Sequence, residues 1–338
     1  LIRNIFKISR IRLSNCQIII QMLNIARTSK LLWNYLNIYF LKPFDAVNDT
    51  LTASLLLNFK WPDEIVEIGS GDGVFSYVMH GGKFPVTFDR YIITDLEKND
   101  IYDIHYKKII PKVKKIRYPT VKYAFDAKQS HIEKMLEIGF VKDPVLTNYE
   151  NIPLNDNAVN AIFFYTPHGL IDYKKSIQEA YRILKPSGKI FILTYNSKFD
   201  ESFICYHSGI KMKGSIGEYF SKLDNGRYKE IMIMSKTDEE WIEFFNENGF
   251  DVINIYYGLS KLAWKVYDIQ TRPFLKALIR IFNFFPIGIR TTIKVVWMIS
   301  WYPILFIFYF LFAIPYTDKS NYCYRAFELS PKIIRNKY

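Results

Sequence analysis

Cysteine and histidine are scarce in this sequence of 338 residues, which contains three cysteines and five histidines. The cysteines, Cys16, Cys205 and Cys323, lie far apart and form no C-x-x-C pair. A disulfide framework and a structural zinc site are therefore both unsupported, and a reducing compartment is indicated. Because the histidines are equally scattered, we predict no metal site.

The sequence also lacks a good secretory signal. Basic residues open the chain, but Gln21, Asn24, Arg27 and Lys30 interrupt the apolar run behind them. A signal peptide needs an unbroken apolar core. We expect the chain to act at the cytoplasmic side of the cell membrane, with a soluble cytoplasmic location as the alternative.

Acidic residues are few at both ends of the chain. Residues 1–60 carry a net charge of +6 and residues 261–338 carry +9, so the total of +12 leaves −3 for the centre. Basic flanks of this kind favour contact with anionic lipid headgroups over a nucleic-acid groove, and we expect no nucleic-acid partner. Solvated surface charge is the alternative interpretation.

One long apolar run is present, at residues 295–315, with no charge over 21 residues. As a helix it would be ~31 Å long, about the thickness of the hydrocarbon layer of a bilayer. Four basic residues lie near it on each side, so the positive-inside rule gives no orientation. A spanning or re-entrant membrane segment and a buried helix of a C-terminal cap both fit this run.

The most informative stretch is residues 65–75, IVEIGSGDGVF. An apolar strand runs into an acid and three alternating glycines, which allow a tight turn and close approach of a ligand to the backbone. The dinucleotide pattern G-x-G-x-x-G is missing because residue 74 is Val. A phosphate loop is missing because no Lys-Ser or Lys-Thr pair follows the glycines.

The remaining pattern, E-x-G-x-G-x-G, resembles motif I of the class I S-adenosylmethionine-dependent methyltransferases. Such proteins carry an acid at the end of the second strand. Asp95 and Asp126 both end apolar runs, and we choose Asp126 because a capping box at Ser130 and a helix ending at Gly139 follow it. Residues 81–120 then form an insertion that includes a basic run at 107–117, either a solvated face or a holder of an anionic group.

Residues 150–196 strengthen the resemblance. AIFFY and KIFILT are apolar runs typical of strands buried on both faces. A helix predicted from Tyr173 to Leu184 separates these runs and leads into an L-K-P-x-G segment that begins at Leu184. A helix behind Thr237 and a strand at DVINIYY follow. The alternation predicts an α/β fold with a Rossmann-like, doubly wound, mostly parallel sheet.

The resemblance also implies roles for individual residues. Gly69, Gly71 and Gly73 would line the methionyl and ribose parts of S-adenosylmethionine. Glu67 would hold the amino group or brace the loop, and Asp126 would accept hydrogen bonds from the ribose hydroxyls. Asn148, where the family often has Asp, would reach the adenine amine beside the backbone of Tyr149. His168 is the candidate base, with Tyr165, Tyr195 and His207 as further candidates.

We therefore predict three regions: an amphipathic helical extension at 1–60, a methyltransferase domain at 61–260, and a basic, aromatic helical region at 261–338. The predicted activity is methyl transfer from S-adenosylmethionine to a small or lipid-linked acceptor, such as a quinone, lipid or glycan precursor. A catalytically silent binding or scaffold protein of the same fold is the main rival. A nicotinamide-dependent oxidoreductase is a more distant one.

Overall fold

The computed structural model describes residues 25–332 apart from 60, 63, 99–100, 105–119, 166–171 and 314–321. Seven strands of the described chain form one sheet. They are β1 (Glu64–Ile68), β2 (Thr120–Asp126), β3 (Asp143–Leu146), β4 (Val159–Tyr165), β5 (Leu184–Tyr195), β6 (Phe250–Ser260) and β7 (Tyr322–Pro331). Their order across the sheet is β3-β2-β1-β4-β5-β7-β6.

Helices cover the sheet and connect its strands. They are α1 (Ile25–Ile38), α2 (Pro43–Asn58), α3 (Val74–Met79), α4 (Gln129–Ile138), α5 (Tyr173–Ile183), α6 (Ile204–Lys211), α7 (Gly214–Met234), α8 (Asp238–Glu247), α9 (Lys261–Thr271), α10 (Leu275–Asn283) and α11 (Ile287–Phe308). A π-helical turn, Tyr309–Ala313, continues α11. The residues Arg90–Ile93 and Ser197–Ser202 form short 3-10 helices.

The first five strands in this order are parallel. Parallel neighbours require crossover connections, which helices supply on both faces of the sheet. On one face α5 and α8 pack against Ile162 and Phe164 of β4. On the other face Phe163 packs among residues of α1–α3 and α9–α11. The predicted α/β, Rossmann-like, mostly parallel fold is confirmed.

The C-terminal part of the chain differs from the prediction. Residues 261–338 were predicted as a helical region, but β7 lies inside the sheet and is antiparallel to both β5 and β6. The strand predicted at DVINIYY is β6, which completes the sheet at its edge, and among the described residues it pairs with β7. Strand β7 was not predicted, because YCYRAFELSP has no clear alternation of apolar and polar residues.

The two flanking regions pack on each other. Trp297 Nε1 of α11 donates to the Phe40 carbonyl at 2.7 Å, and the hydroxyls of Tyr309 and Ser54 are 3.3 Å apart. Helices from both ends of the chain thus form one layer over the sheet. The division into three regions stays a prediction. Its description of residues 261–338 as helical is corrected by β7, which belongs to the sheet.

Helix α4 differs from the prediction in its first turn. It begins at Gln129 after Lys128 and has no side-chain cap, so the capping box predicted at Ser130 is wrong. Ser130 Oγ instead donates to Asp103 Oδ1 at 2.5 Å. The end is as predicted, because Gly139 adopts a left-handed conformation there.

The position of β7 in the core yields a stability prediction. Phe327 is fully buried, and its ring centroid lies 5.1 Å from that of Phe245 on α8. We expect Phe327→Ala to lower the free energy of unfolding by about 3–5 kcal/mol, because it leaves a cavity. Ile253→Ala on β6, where the side chain is 49% exposed, should cost less than about 1 kcal/mol. Denaturant unfolding measures both, and equal small effects would contradict the strand order.

Candidate functional site

The glycine loop lies between β1 and α3. Gly69, Gly71 and Gly73 have φ values of 74°, 61° and 74°, in the left-handed region that favours glycine. A Cβ on Gly73 would lie 2.7 Å from Met135 Cγ, whereas a Cβ on Gly71 would meet nothing within 4 Å. The loop therefore packs tightly on α4 at one glycine and borders open space at another.

Glu67 is buried in β1, with 1% of its surface exposed. Its Oε1 accepts a hydrogen bond of 2.5 Å from Ser76 Oγ, which ties β1 to α3. Its Oε2 is buried and has no hydrogen-bond partner among the described residues. Burial raises the pKa of Glu67 to about 7, although the Ser76 hydrogen bond acts in the opposite direction. An unpartnered buried oxygen of this kind is suited to accepting a ligand N–H.

Asp126 ends β2, as predicted, and is fastened to the glycine loop. Its Oδ2 accepts from Gly71 N at 2.9 Å, and its Oδ1 accepts from Lys128 N at 3.0 Å. His131 Nδ1 is 2.9 Å from the same Oδ1. A carboxylate offers about four acceptor positions, and the Tyr149 hydroxyl, which is also hydrogen-bonded to Asp126, takes the fourth. The predicted contact with both ribose hydroxyls stays a prediction, and each ribose hydroxyl would have to displace one of these partners.

Asn148 and Tyr149 follow β3. Asn148 is exposed, and its Oδ1 accepts from Glu150 N at 3.2 Å in a local turn. Tyr149 has a φ of 69°, and its buried hydroxyl accepts from Ala127 N at 3.0 Å. The tyrosine side chain thus joins the ends of β2 and β3, a role that the sequence did not predict. The adenine contacts of both residues stay predictions.

The insertion contributes a residue that sequence reasoning missed. Arg90 Nη2 lies 2.9 Å from Asp72 Oδ2 inside the glycine loop, and its guanidinium carbon is 3.9 Å from the centre of the Tyr102 ring. Burial acts to raise the pKa of Asp72, but Arg90, Lys134 and His131 together hold it below its usual value. Nothing in the spacing of Asp72 and Arg90 signals this pair.

A layer of tyrosines lies at the carboxyl ends of β4 and β5, where Tyr165 and Tyr195 end their strands. Tyr195 and Tyr324 of β7 have ring centroids 5.2 Å apart. The hydroxyl of Tyr35, on α1, donates a hydrogen bond of 3.0 Å to the carbonyl of Phe75. Asp49 of α2 is buried, and burial together with Asp45 raises its pKa to about 7. Burial and the charge of Asp49 raise the pKa of Tyr165.

Several predicted functional residues cannot be placed in this arrangement. His168 and the basic run at 107–117 lie outside the described residues. His207 of α6 contacts the preceding 3-10 helix, with Nε2 3.1 Å from Asp200 Oδ1. The described residues contain no cluster of three or more histidine, cysteine or acidic side chains that would hold a metal, and the absence of a metal stays a prediction.

The chain matches a known family over part of its length. Residues 66–192, from β1 to β5, match the family described as methyltransferase domain. This segment includes Glu67, the three glycines, Asp126, Asn148, Tyr149 and His168. The resemblance predicted from motif I and the L-K-P segment is confirmed over these residues.

The chain is also similar to ubiquinone/menaquinone biosynthesis C-methyltransferases. The protein of Cronobacter sakazakii is 27% identical over 138 residues, and that of Klebsiella pneumoniae is 28% identical over 137. Each alignment covers 38% of this chain and 53% of the relative. The chain thus spans about half the length of the relatives it matches.

Among solved structures, a possible histamine N-methyltransferase of Thermotoga maritima aligns with a TM-score of 0.46 at 14% identity. It covers 91% of this chain and 99% of its own. A sarcosine dimethylglycine methyltransferase candidate of Galdieria sulphuraria aligns with a TM-score of 0.43 at 12% identity, covering 84% of each chain.

The raised pKa of Glu67 gives a stability prediction. The folded state holds this proton more tightly than the unfolded chain, so the stabilisation is full below pH 4.5 and is lost as the pH rises through 7. We expect the unfolding free energy of the wild type to fall across this range by roughly 2–4 kcal/mol more than that of Glu67→Gln.

The comparison between the two proteins is essential, because Asp49 titrates in the same range and contributes equally to both. Denaturant unfolding at several pH values measures the two slopes. Parallel curves for the wild type and Glu67→Gln would show that Glu67 ionises normally.

Proposed function

We propose that this chain, whose residues 66–192 match a methyltransferase domain, transfers a methyl group from S-adenosylmethionine to a small or lipid-linked acceptor. One observation carries the proposal: Gly71, which borders open space, donates its N–H to the carboxylate of Asp126, and the buried Oε2 of Glu67 on β1 has no hydrogen-bond partner among the described residues. Ligands of open α/β sheets bind at the carboxyl ends of the strands.

These residues fit S-adenosylmethionine chemically. Glu67 Oε2 would accept from the ammonium group, whose charge favours the ionised carboxylate. The space beside Gly71 would take the sulfonium and ribose portion without contact to a Cβ. Asp126 would accept from a ribose hydroxyl in place of one of its present partners, such as the Tyr149 hydroxyl. Asn148 would turn its amide oxygen from Glu150 N to the adenine amine.

The protein's contribution to methyl transfer would be positioning. Methyl transfer from a sulfonium is an in-line displacement, and holding donor and acceptor together supplies much of the rate. The tyrosine layer at the ends of β4 and β5 would form the side of the site where the methyl acceptor binds, which we call the acceptor side. This layer adjoins the glycine loop through the contact between Tyr35 and Phe75. Proton removal from the acceptor is assigned to His168, with Asp49 as a second candidate because its pKa of about 7 suits a base.

Three features support a membrane-derived acceptor at the cytoplasmic membrane face. The relatives are named for ubiquinone and menaquinone biosynthesis, whose products are apolar. The acceptor side consists mainly of aromatic residues, with Asp49 as a buried acid beside them. One helix of the described chain, Ile287–Phe312, is long and apolar enough to meet a membrane. A quinone precursor is the acceptor that these features favour.

Binding of S-adenosylmethionine tests the assignment of Asp126. We expect Asp126→Ala to weaken binding roughly 10–100-fold, because a charged acceptor and the Gly71 contact are both lost. The matched control is Asp95→Ala, since Asp95 lies in the insertion and bonds Glu97 N locally. Calorimetry measures all three affinities, and undiminished binding by Asp126→Ala would exclude it from the site.

The two loop glycines provide a second test. Gly71→Ala and Gly73→Ala both place a side chain at positive φ, at a cost of about 1–2 kcal/mol each. Only Gly73→Ala also crowds Met135, so it should be the less stable variant. We expect Gly71→Ala to lower affinity for S-adenosylmethionine by about tenfold or more, because its methyl group enters the proposed site.

The outcome that would contradict the site is a Gly71→Ala protein that binds S-adenosylmethionine as tightly as the wild type.

A turnover measurement separates an enzyme from a silent binding protein. We expect S-adenosylhomocysteine to accumulate when a membrane lipid extract is added, and a lipid to gain the mass of one CH₂ group. Binding without any product in such extracts would favour the scaffold alternative.

A further inference from the structure

Helix α11 carries its charges on the side that faces the protein. Arg290 and Lys294 are 2% and 1% exposed. Arg290 forms an ion pair with Asp89, and Lys294 Nζ donates to the Phe88 carbonyl at 2.6 Å. Met298 and Leu305 continue this inner face at helical spacing and are fully buried.

The opposite face of α11 is apolar and open to the surroundings. Its large side chains, each more than half exposed, are Ile289, Val296, Ile299, Ile304, Ile307 and Leu311. Ile281 of α10 and Phe284, the residue that follows this helix, are exposed apolar side chains as well, and Phe284 is 86% exposed. We call these eight residues the outer apolar face. A contiguous surface of this kind on a soluble protein marks an interaction site.

Basic residues lie on α10 and beside α11, the helices that carry the outer apolar face, and we call Lys30, Lys83, Lys276 and Arg280 the basic border. Lys276 and Arg280 of α10 are exposed. Beside Tyr302 of α11 lies a cleft of about 350 Å³, which is lined by Ala26, Ser29, Lys30, Trp33, Asn34, Lys83 and Tyr302. No residue lining this cleft is acidic, and residues 269–317 contain no Asp or Glu at all.

The packing of α11 opposes a crossing of the bilayer. The apolar helix of 26 residues would be ~39 Å long across a membrane. After crossing, the chain would have to come back to β7 in the sheet. The eight residues between Ala313 and Tyr322 can reach at most about 32 Å, which is shorter than the helix. Crossing would also expose Arg290 and Lys294 to lipid after breaking their bonds to Asp89 and Phe88.

A second copy of the chain is a poor occupant of the outer apolar face. Pairing two such faces would bring the basic borders of both copies together, with no acid from residues 269–317 to offset the repulsion. Anionic lipid headgroups have the complementary charge, and acyl chains match the apolar centre.

We propose that the outer apolar face lies in one leaflet of an anionic membrane, with α11 parallel to the surface and headgroups held by the basic border. This inference deepens the membrane location proposed above. It does not depend on methyl transfer, because vesicle binding and S-adenosylmethionine binding are measured separately.

Co-sedimentation of the full chain with vesicles tests the proposal. We expect binding to phosphatidylcholine vesicles that contain phosphatidylglycerol, and weaker binding to phosphatidylcholine alone. Ile299→Lys should reduce binding by about tenfold or more, because it places a charge at the centre of the buried face. The matched control is Ile233→Lys, at an isoleucine of α7 that is 81% exposed and lies outside this face.

The basic border has its own variant. Lys30→Glu combined with Lys83→Glu should weaken binding to the anionic vesicles and leave binding to neutral vesicles unchanged. Thermal unfolding verifies that each variant is folded. Equal binding by Ile299→Lys and the wild type would overturn the proposal, and so would a dimer in lipid-free solution that Ile299→Lys dissociates.

Exchange between vesicles distinguishes a helix in the membrane plane from a spanning one. Protein bound to fluorescent vesicles should transfer to an excess of unlabelled vesicles, because no charged segment has to cross the bilayer. Protein that stays permanently with its first vesicles would contradict the in-plane arrangement.

Removal of residues 1–24 should leave binding by the outer apolar face in place. Complete loss of vesicle binding would instead assign the membrane contact to that segment.

Discussion

The hydrogen bond from Gly71 N to Asp126 Oδ2, 2.9 Å long, is the contact on which the candidate site depends. It joins the loop after β1 to the end of β2, although 55 residues separate the two in sequence. Phe125 supports the same junction, since its carbonyl accepts from Gly69 N and Ser70 N. Left-handed glycines turn the loop so that these bonds form, and a Cβ at Gly71 would meet nothing within 4 Å.

The outer parts of the chain are built around this junction. Arg90 of the insertion pairs with Asp72 of the loop, and the neighbouring Asp89 pairs with Arg290 of α11. Two adjacent residues thus connect the loop to the helix that carries the outer apolar face.

The sequence predicted the parts of the fold that depend on local patterns. Strand β1, the glycine turn, β4 and α5 follow from short apolar runs, glycines and helical spacing, and the strand ending at Asp126 follows from its position after them. Long-range pairings left no such pattern. β7 enters between β5 and β6, and Tyr149 reaches back to Ala127, through contacts that only the assembled sheet defines. The long apolar run of α11 was visible in the sequence, but the sequence did not show that Arg290 and Lys294 face the protein.

The central claim is that S-adenosylmethionine binds where β1 and β2 end. Hydrogen exchange measured by mass spectrometry, with and without S-adenosylhomocysteine, tests it most directly. The account predicts slower exchange in peptides that contain residues 69–73 and 126–131, with no change across α11. Unchanged exchange in both loop peptides, or protection confined to another part of the chain, would contradict it.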